Sequence, residues 1–294
     1  MSTHGFTLAA EGPFDFAESL RFVEDWPATS TLAPSDGTAL RFAYNTESDW
    51  RPIGVTVRAA PGGVAVETTR PAGPAIRAEI ARILSLDVDG TGFAALAAAD
   101  PVLGDVLRLR PGLRPVCFWS PWEAACWAVI VQRSSMHVAA RIKQRIAERY
   151  GATLDVGGHP CVAFPPPISL VEAGGLGLPV RKEEWIHDLA RAALDGVLTT
   201  EHLRGLPPSE ALAELRALPG VGPFTAGLIL IRGAGAPDAF PGDEPRLFAI
   251  LREAYGLPED APPTAYRKIA DPWRPYRSWA SFHFRATGYQ MRQP

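Results

Sequence analysis

The chain has 294 residues, is 47% hydrophobic and 21% charged, and carries a net charge of −3. This is the balance of a soluble globular chain long enough for two or three packed units. It shows no charged-then-apolar leader and no apolar run of about 20 residues, so neither secretion nor a membrane span is expected and a cytoplasmic location is.

Residues 1–75 read mostly as strand and turn. A short amphipathic helix fits 14–23. Alternating segments at 38–44, 53–57 and 63–68 follow, with turns at Pro34-Ser35-Asp36-Gly37 and Ala60-Pro61-Gly62-Gly63. A helix over 74–84 closes this unit. Helices then take over: a short one at 92–99, then a long apolar one over 122–150 that Gly151 stops and that is expected to break near 132–135. Residues 160–167 read as a proline-rich loop and 169–173 as one helical turn. Further helices are expected at 181–195, 208–217, 224–231, 245–255 and 276–287. The fold class is α+β: a small antiparallel sheet unit, then a mainly helical body. The expected division is 1–90, then 91–118 with 236–294, then 119–235.

Cys117, Cys126 and Cys161 have no CxxC spacing. They read as reduced, buried thiols, and three of them cannot supply a four-Cys iron–sulfur cluster. The six His show no HxxxH or HxH spacing, so no side-chain metal site is expected. The acidic balance argues against a nucleic-acid partner, but its distribution argues the other way. Residues 121–150 hold Arg133, Arg141, Lys143, Arg145 and Arg149 against Glu123 and Glu148, or +3. Residues 267–294 hold Arg267, Lys268, Arg274, Arg277, Arg285 and Arg292 against Asp271, or +5. Two basic segments suit either a solvated face or one cleft for a polyanion.

The most informative stretch is Leu218-Pro219-Gly220-Val221-Gly222-Pro223-Phe224. Pro223 suits the first position of a helix, and the glycines let the turn and that helix's free N–H groups approach a phosphate. About twenty residues on, Phe240-Pro241-Gly242-Asp243-Glu244-Pro245 opens another helix. With Pro245 first in the helix, Glu244 takes the cap, and Leu247, Ile250 and Leu251 fall in phase below it. Asp is the better capping residue and fits one position earlier, so both carboxylates stay candidates. A carboxylate at a helix N-terminus is favoured as an anion, which suits it to stabilise an oxocarbenium-like transition state or orient a water.

These two motifs resemble those of the helix-hairpin-helix DNA glycosylases, and the sheet unit before them is similar to the 3-methyladenine DNA glycosylase II branch. The resemblance covers most of the chain, including 120–151 and 273–283. It implies a monofunctional enzyme that flips a damaged base from duplex DNA and hydrolyses its N-glycosidic bond, in base excision repair. It implies double-stranded DNA as partner, a monomer, no membrane, and a bacterial, nucleoid-associated setting. Gly220, Val221, Gly222, Pro223 and Thr225 would grip the DNA backbone. Gln132 and Arg133 would probe the duplex, Arg133 as the wedge. Phe224, Leu228, Arg285, Ala286, Phe14 and Trp122 would line the base pocket. No cofactor is implied beyond a monovalent cation on the backbone carbonyls of Arg216, Leu218 and Val221.

Three departures matter. The family's catalytic Asp aligns with Glu244, one methylene longer; either Glu244 or Asp243 does the chemistry, or the chemistry is lost and the chain is a lesion-sensing DNA binder. Phe224 stands where strand-cutting relatives keep a nucleophilic Lys, so no Schiff base and no strand cleavage is expected. Leu228, Arg285 and Ala286 replace aromatic residues of the pocket. An aromatic box suits a cationic alkylated base, and Arg285 would repel one, so a neutral or bulkier base is expected instead.

Overall fold

Alternation in the N-terminal segment builds a four-stranded antiparallel sheet in the computed structural model, which describes residues 3–29 and 36–288. Its strands are β1 (His4–Ala9), β2 (Ala39–Asn45), β3 (Pro52–Ala60) and β4 (Gly63–Thr68), in spatial order β1-β4-β3-β2. Two helices pack on it: α1 (Phe16–Glu24), capped by Asp15 through Ala17 N–H, and α2 (Pro74–Ile83). Every residue of β2 is buried. Leu40, Phe42 and Tyr44 enter the core of the sheet unit, while Ala43 meets Val156, Cys161 and Ala163 on the other face. The expected turn at Pro34–Gly37 lies partly outside the described residues, as does Arg292.

The second face of β2 is covered by an unexpected hairpin, β5 (Ala152–Val156) and β6 (His159–Ala163). Pro160 argued for a loop, since proline lacks the N–H of a ladder. It is tolerated because β6 pairs only with β5 in this two-stranded sheet. The signal that names the hairpin is Gly157-Gly158, both at positive φ (62° and 83°), with the Asp155 carboxylate accepting from Gly158 N–H at 2.7 Å.

The helical body contains α3 (Thr91–Ala99), α4 (Pro101–Leu109), α5 (Pro121–Val131), α6 (Met136–Tyr150), α7 (Val180–Leu194), α8 (Thr200–Gly205), α9 (Pro208–Ala217), α10 (Pro223–Leu228), α11 (Pro245–Tyr255), α12 (Pro263–Ala270) and α13 (Arg277–Gly288). The long apolar helix does break at 132–135. Helices α4, α8 and α12 were not anticipated; each is short. α10 runs on as a π-helical turn, Ile229–Gly233.

Apolar side chains gather in three main clusters: one in the sheet unit, one around α5, α7 and α10, and one joining α3 and α4 to α11, α12 and α13. α5 is buried on all sides from Pro121 to Ile130. Its Glu123 pairs at 2.6 Å with Lys143 of α6, both almost fully buried. Lys143 also donates to the Ala28 carbonyl at 2.6 Å. That removes Lys143 from the basic surface counted in the sequence.

Arg82 fastens the units together. Its buried guanidinium donates to Phe118 O at 3.0 Å, to Trp119 O at 2.6 Å and to Gly233 O. Beside it, the Glu47 carboxylate accepts from Thr200 N–H and Oγ1–H at 2.5 and 2.8 Å, which ties the β2–β3 connection to the start of α8.

Candidate functional site

The hairpin lies between α9 and α10. Val221 N–H closes its turn on Leu218 O at 3.1 Å. Gly220 has φ +77°, and a Cβ there would sit 2.6 Å from the Trp185 ring, so only glycine fits. A Cβ on Gly222 would meet open space. The N–H groups of Gly222, Phe224 and Thr225 find no acceptor among the described residues, and α10 has no side-chain cap. These are the unpaired donors a helix start offers to an anion. Thr225 is itself buried, so only its N–H is available.

The break between α5 and α6 is held against this hairpin. Gln132 donates through Nε2 to Gly220 O at 2.9 Å. Lys182 of α7 donates to Ile130 O at 3.0 Å and Gln132 O at 2.6 Å. Gln132 is therefore a strut of the hairpin rather than a free probe. Arg133 is exposed, at φ +54°, and heads the loop with no partner among the described residues.

The acidic turn is stapled to the start of α13. Asp238 accepts from Arg277 Nε at 2.8 Å and from its backbone N–H at 3.3 Å. Ser278 Oγ exchanges hydrogen bonds with Ala239 N–H and O at 3.0 and 2.7 Å. This fixes the turn relative to the helix that carries Phe282 and Arg285. The two candidate carboxylates then part company. Asp243 pairs at 3.4 Å with Arg216 at the end of α9, both side chains close to half exposed. Glu244 occupies the cap position of α11: its carbonyl accepts from Phe248 N–H at 3.1 Å. Its side chain makes no capping bond. The carboxylate turns instead to Arg285 and pairs with Nε, at 15% side-chain exposure against 32% for Arg285.

Phe224 stands 48% exposed on the outer face of α10. Leu228 packs partly into the α5 cluster, and Ala286 is half-buried next to Arg285. Two sequence assignments are corrected. Trp122 is 2% exposed, packs on Phe164 and donates its indole N–H to Pro165 O at 2.9 Å; it is core, not pocket. An aromatic residue at a helix start reads the same in core or cleft, and burial separates them. Phe14 packs in the sheet unit beneath Arg114. Phe22, Trp26 and Phe282 are instead grouped around Arg232. The sequence held a weak pointer to one of them: Phe282 precedes Arg285 by three residues, one helical turn on the same face.

Among the described residues no cluster of His, Cys, Asp and Glu has the geometry of a metal site, and no helix is long and apolar enough to cross a membrane. No protein-family model matches the chain. It is 29% identical over 203 residues to the DNA-3-methyladenine glycosylase of Bacillus subtilis, covering 67% of each chain. It is 33% identical over 189 residues to DNA-3-methyladenine glycosylase 2 of Escherichia coli, covering 62% of each. The chain thus aligns with less than two thirds of the latter. The fold matches the solved 3-methyladenine DNA-glycosylase of Archaeoglobus fulgidus at a TM-score of 0.82, with 21% identity, over 98% of this chain and 100% of that one. In sequence and in fold the chain is thus similar to 3-methyladenine DNA glycosylases.

Proposed function

We propose that the chain is a monofunctional DNA glycosylase that removes a damaged base from duplex DNA, with Glu244 as its carboxylate. One observation carries this reading: the Glu244 side chain is not engaged as a cap and turns to the Arg285 guanidinium, while its neighbour Asp243 joins the same turn to the hairpin through Arg216. The names of the relatives above support the chemistry. The hairpin N–H groups would hold the backbone phosphate, and Arg133 would enter the space left by the extruded nucleotide. As the C1′–N bond stretches, positive charge grows on the sugar, and the Glu244 carboxylate stabilises it. A water oriented by the same carboxylate bonds to C1′; the electron pair of the broken bond leaves with the base, which takes up a proton.

Phe224 supplies no amine, so the DNA strand stays intact. Arg285 and the small Ala286 fit a neutral or bulkier base better than a cationic one. The carbonyls of Arg216, Leu218 and Val221 run from the last turn of α9 through the hairpin turn, where the helix dipole favours positive charge; they would hold a monovalent cation that adds positive charge beside the phosphate. The enzyme would act as a monomer in a bacterial, nucleoid-associated setting.

Single-turnover incubation with duplexes carrying methylated, deaminated or bulky bases, followed by alkali, measures the abasic sites formed. Glu244→Gln is expected to slow base release by roughly 100- to 1000-fold, the scale for removing one preorganised electrostatic group. Asp243→Asn is expected to retain release, and strand breaks should appear only after alkali. Release that survives in Glu244→Gln would remove the role assigned to it. Lesion binding with no release of any base would make the chain a non-catalytic sensor.

A further inference from the structure

Arg232, just past the hairpin helix, is the best-caged cation in the molecule. Its guanidinium lies 4.3 Å from the Trp26 ring centre, 5.0 Å from Phe282 and 5.3 Å from Phe22. Its Nε and Nη2 both donate to Val116 O, at 3.0 and 2.5 Å. Nη1 has no partner among the described residues, and no carboxylate there lies within salt-bridge reach. Phe282 shares a face of α13 with Arg285, and Arg285 pairs with Glu244. The cage is therefore continuous with the carboxylate. Burial lowers the guanidinium to about 10, and Glu244 and Arg285 both act on it electrostatically. It remains a cation at neutral pH.

We infer that Arg232 sets the specificity of this site: it occupies the electron-rich faces of Phe22, Trp26 and Phe282, so the recess favours a neutral base with a hydrogen-bond acceptor over a cationic one. The inference rests on the glycosylase reading and goes beyond it, because it assigns the choice of base to a residue outside the hairpin and the acidic turn. Two facts of chemistry carry it. An aromatic face attracts a cation through its quadrupole, and here that attraction is taken up inside the protein. Two guanidiniums, Arg232 and Arg285, then face one carboxylate, Glu244, which leaves the recess with an excess positive charge. A second cation entering would meet both the lost attraction and the repulsion. A neutral base with a carbonyl or ring-nitrogen edge would accept from Nη1.

The test uses full-length protein and two duplexes, one with a single hypoxanthine, neutral with a carbonyl acceptor, and one with a single cationic N7-methylguanine. Base release is measured for wild type, Arg232→Met and Arg232→Lys, and binding of both duplexes is measured on the same proteins carrying Glu244→Gln. Met fills the cage without charge or donors. The expected result is a rise of about tenfold in the methylguanine-to-hypoxanthine ratio for Arg232→Met, a change on the scale of a cation–π contact. Arg232→Lys, which keeps the charge, should stay near wild type in that ratio. A purely structural role, through the Val116 link, would lower both rates and the melting temperature together and leave the ratio unmoved. A ratio within twofold of wild type in Arg232→Met, with release intact, overturns the inference and leaves the glycosylase reading standing. A wild type that neither releases nor prefers either lesion over plain guanine sinks both.

Discussion

Two glutamates face two cations in this fold, with opposite consequences. Glu123 and Lys143 meet at 2.6 Å in the helical core, at 4% and 1% side-chain exposure. Glu244 and Arg285 meet at the cleft, at 15% and 32%. The first pair is enclosed by α5, α6 and the Ala28 carbonyl, which also accepts from Lys143, so no solvent reaches either ion to replace its partner. The second is open to solvent on the Arg285 side, so a ligand reaching the cleft can replace the protein partner. Burial makes one pair part of the scaffold, and accessibility leaves the other open to exchange with a ligand.

The largest expected effect strikes the buried pair. Glu123→Gln leaves Lys143 with no carboxylate in the core and should destabilise the fold by about 3–5 kcal/mol, read by urea unfolding. A loss below about 1 kcal/mol would show that the two pairs do not differ as described. The intermediate effect concerns Glu79, a buried carboxylate without a full complement of partners. One oxygen accepts from Glu47 N–H at 3.1 Å and the other has no hydrogen-bond partner. Burial, reinforced by the Glu47 charge, raises Glu79 from 4.5 to about 7. Between those values the unfolded chain has released the proton and the folded chain still holds it. This group therefore makes stability fall as pH rises from about 4.5 to about 7, and no further above that. Glu79→Gln should remove that decline and stabilise the fold at pH 8 by about 1–3 kcal/mol; unfolding curves across pH 4 to 8 check it. The smallest effect belongs to the cleft. Arg285→Met should change stability by less than about 1 kcal/mol, as expected for a partly exposed ion pair. A large drop would place Glu244 and Arg285 with the scaffold.

The contrast also explains what was readable in advance. The hairpin, the break at 132–135 and three of the four strands of the sheet unit are local: each follows from glycine, proline or alternation within a few residues, whereas β1 was not singled out. Glu244 and Arg285 were each singled out in the sequence on their own, although nothing local shows that they touch. Phe22, Trp26, Phe282 and Arg232 were not legible as a group. In one dimension Phe22 and Phe282 are ordinary members of helices, Trp26 lies just past α1 and Arg232 in the turn after α10, and only their packing together makes a cage. Trp122 failed in the opposite direction, since its helix is apolar all round and has no outward face to present. The β5–β6 hairpin was hidden by Pro160, whose local preference is overridden by the cover that β2 provides on one face.

The Arg82 clamp has a consequence for how the chain is made. Its guanidinium reaches the carbonyl of Gly233, 151 positions later, and those of Phe118 and Trp119, 36 and 37 positions later. At bacterial-scale synthesis rates of about 5–20 residues per second, Arg82 emerges roughly 8–30 seconds before Gly233 does. The Phe118 and Trp119 carbonyls follow Arg82 by only about 2–7 seconds, so for most of that interval the guanidinium has two of its three acceptors at hand. The order of synthesis thus sets the order of assembly: the start of α5 meets the sheet unit first, and the turn that follows α10 completes the joint.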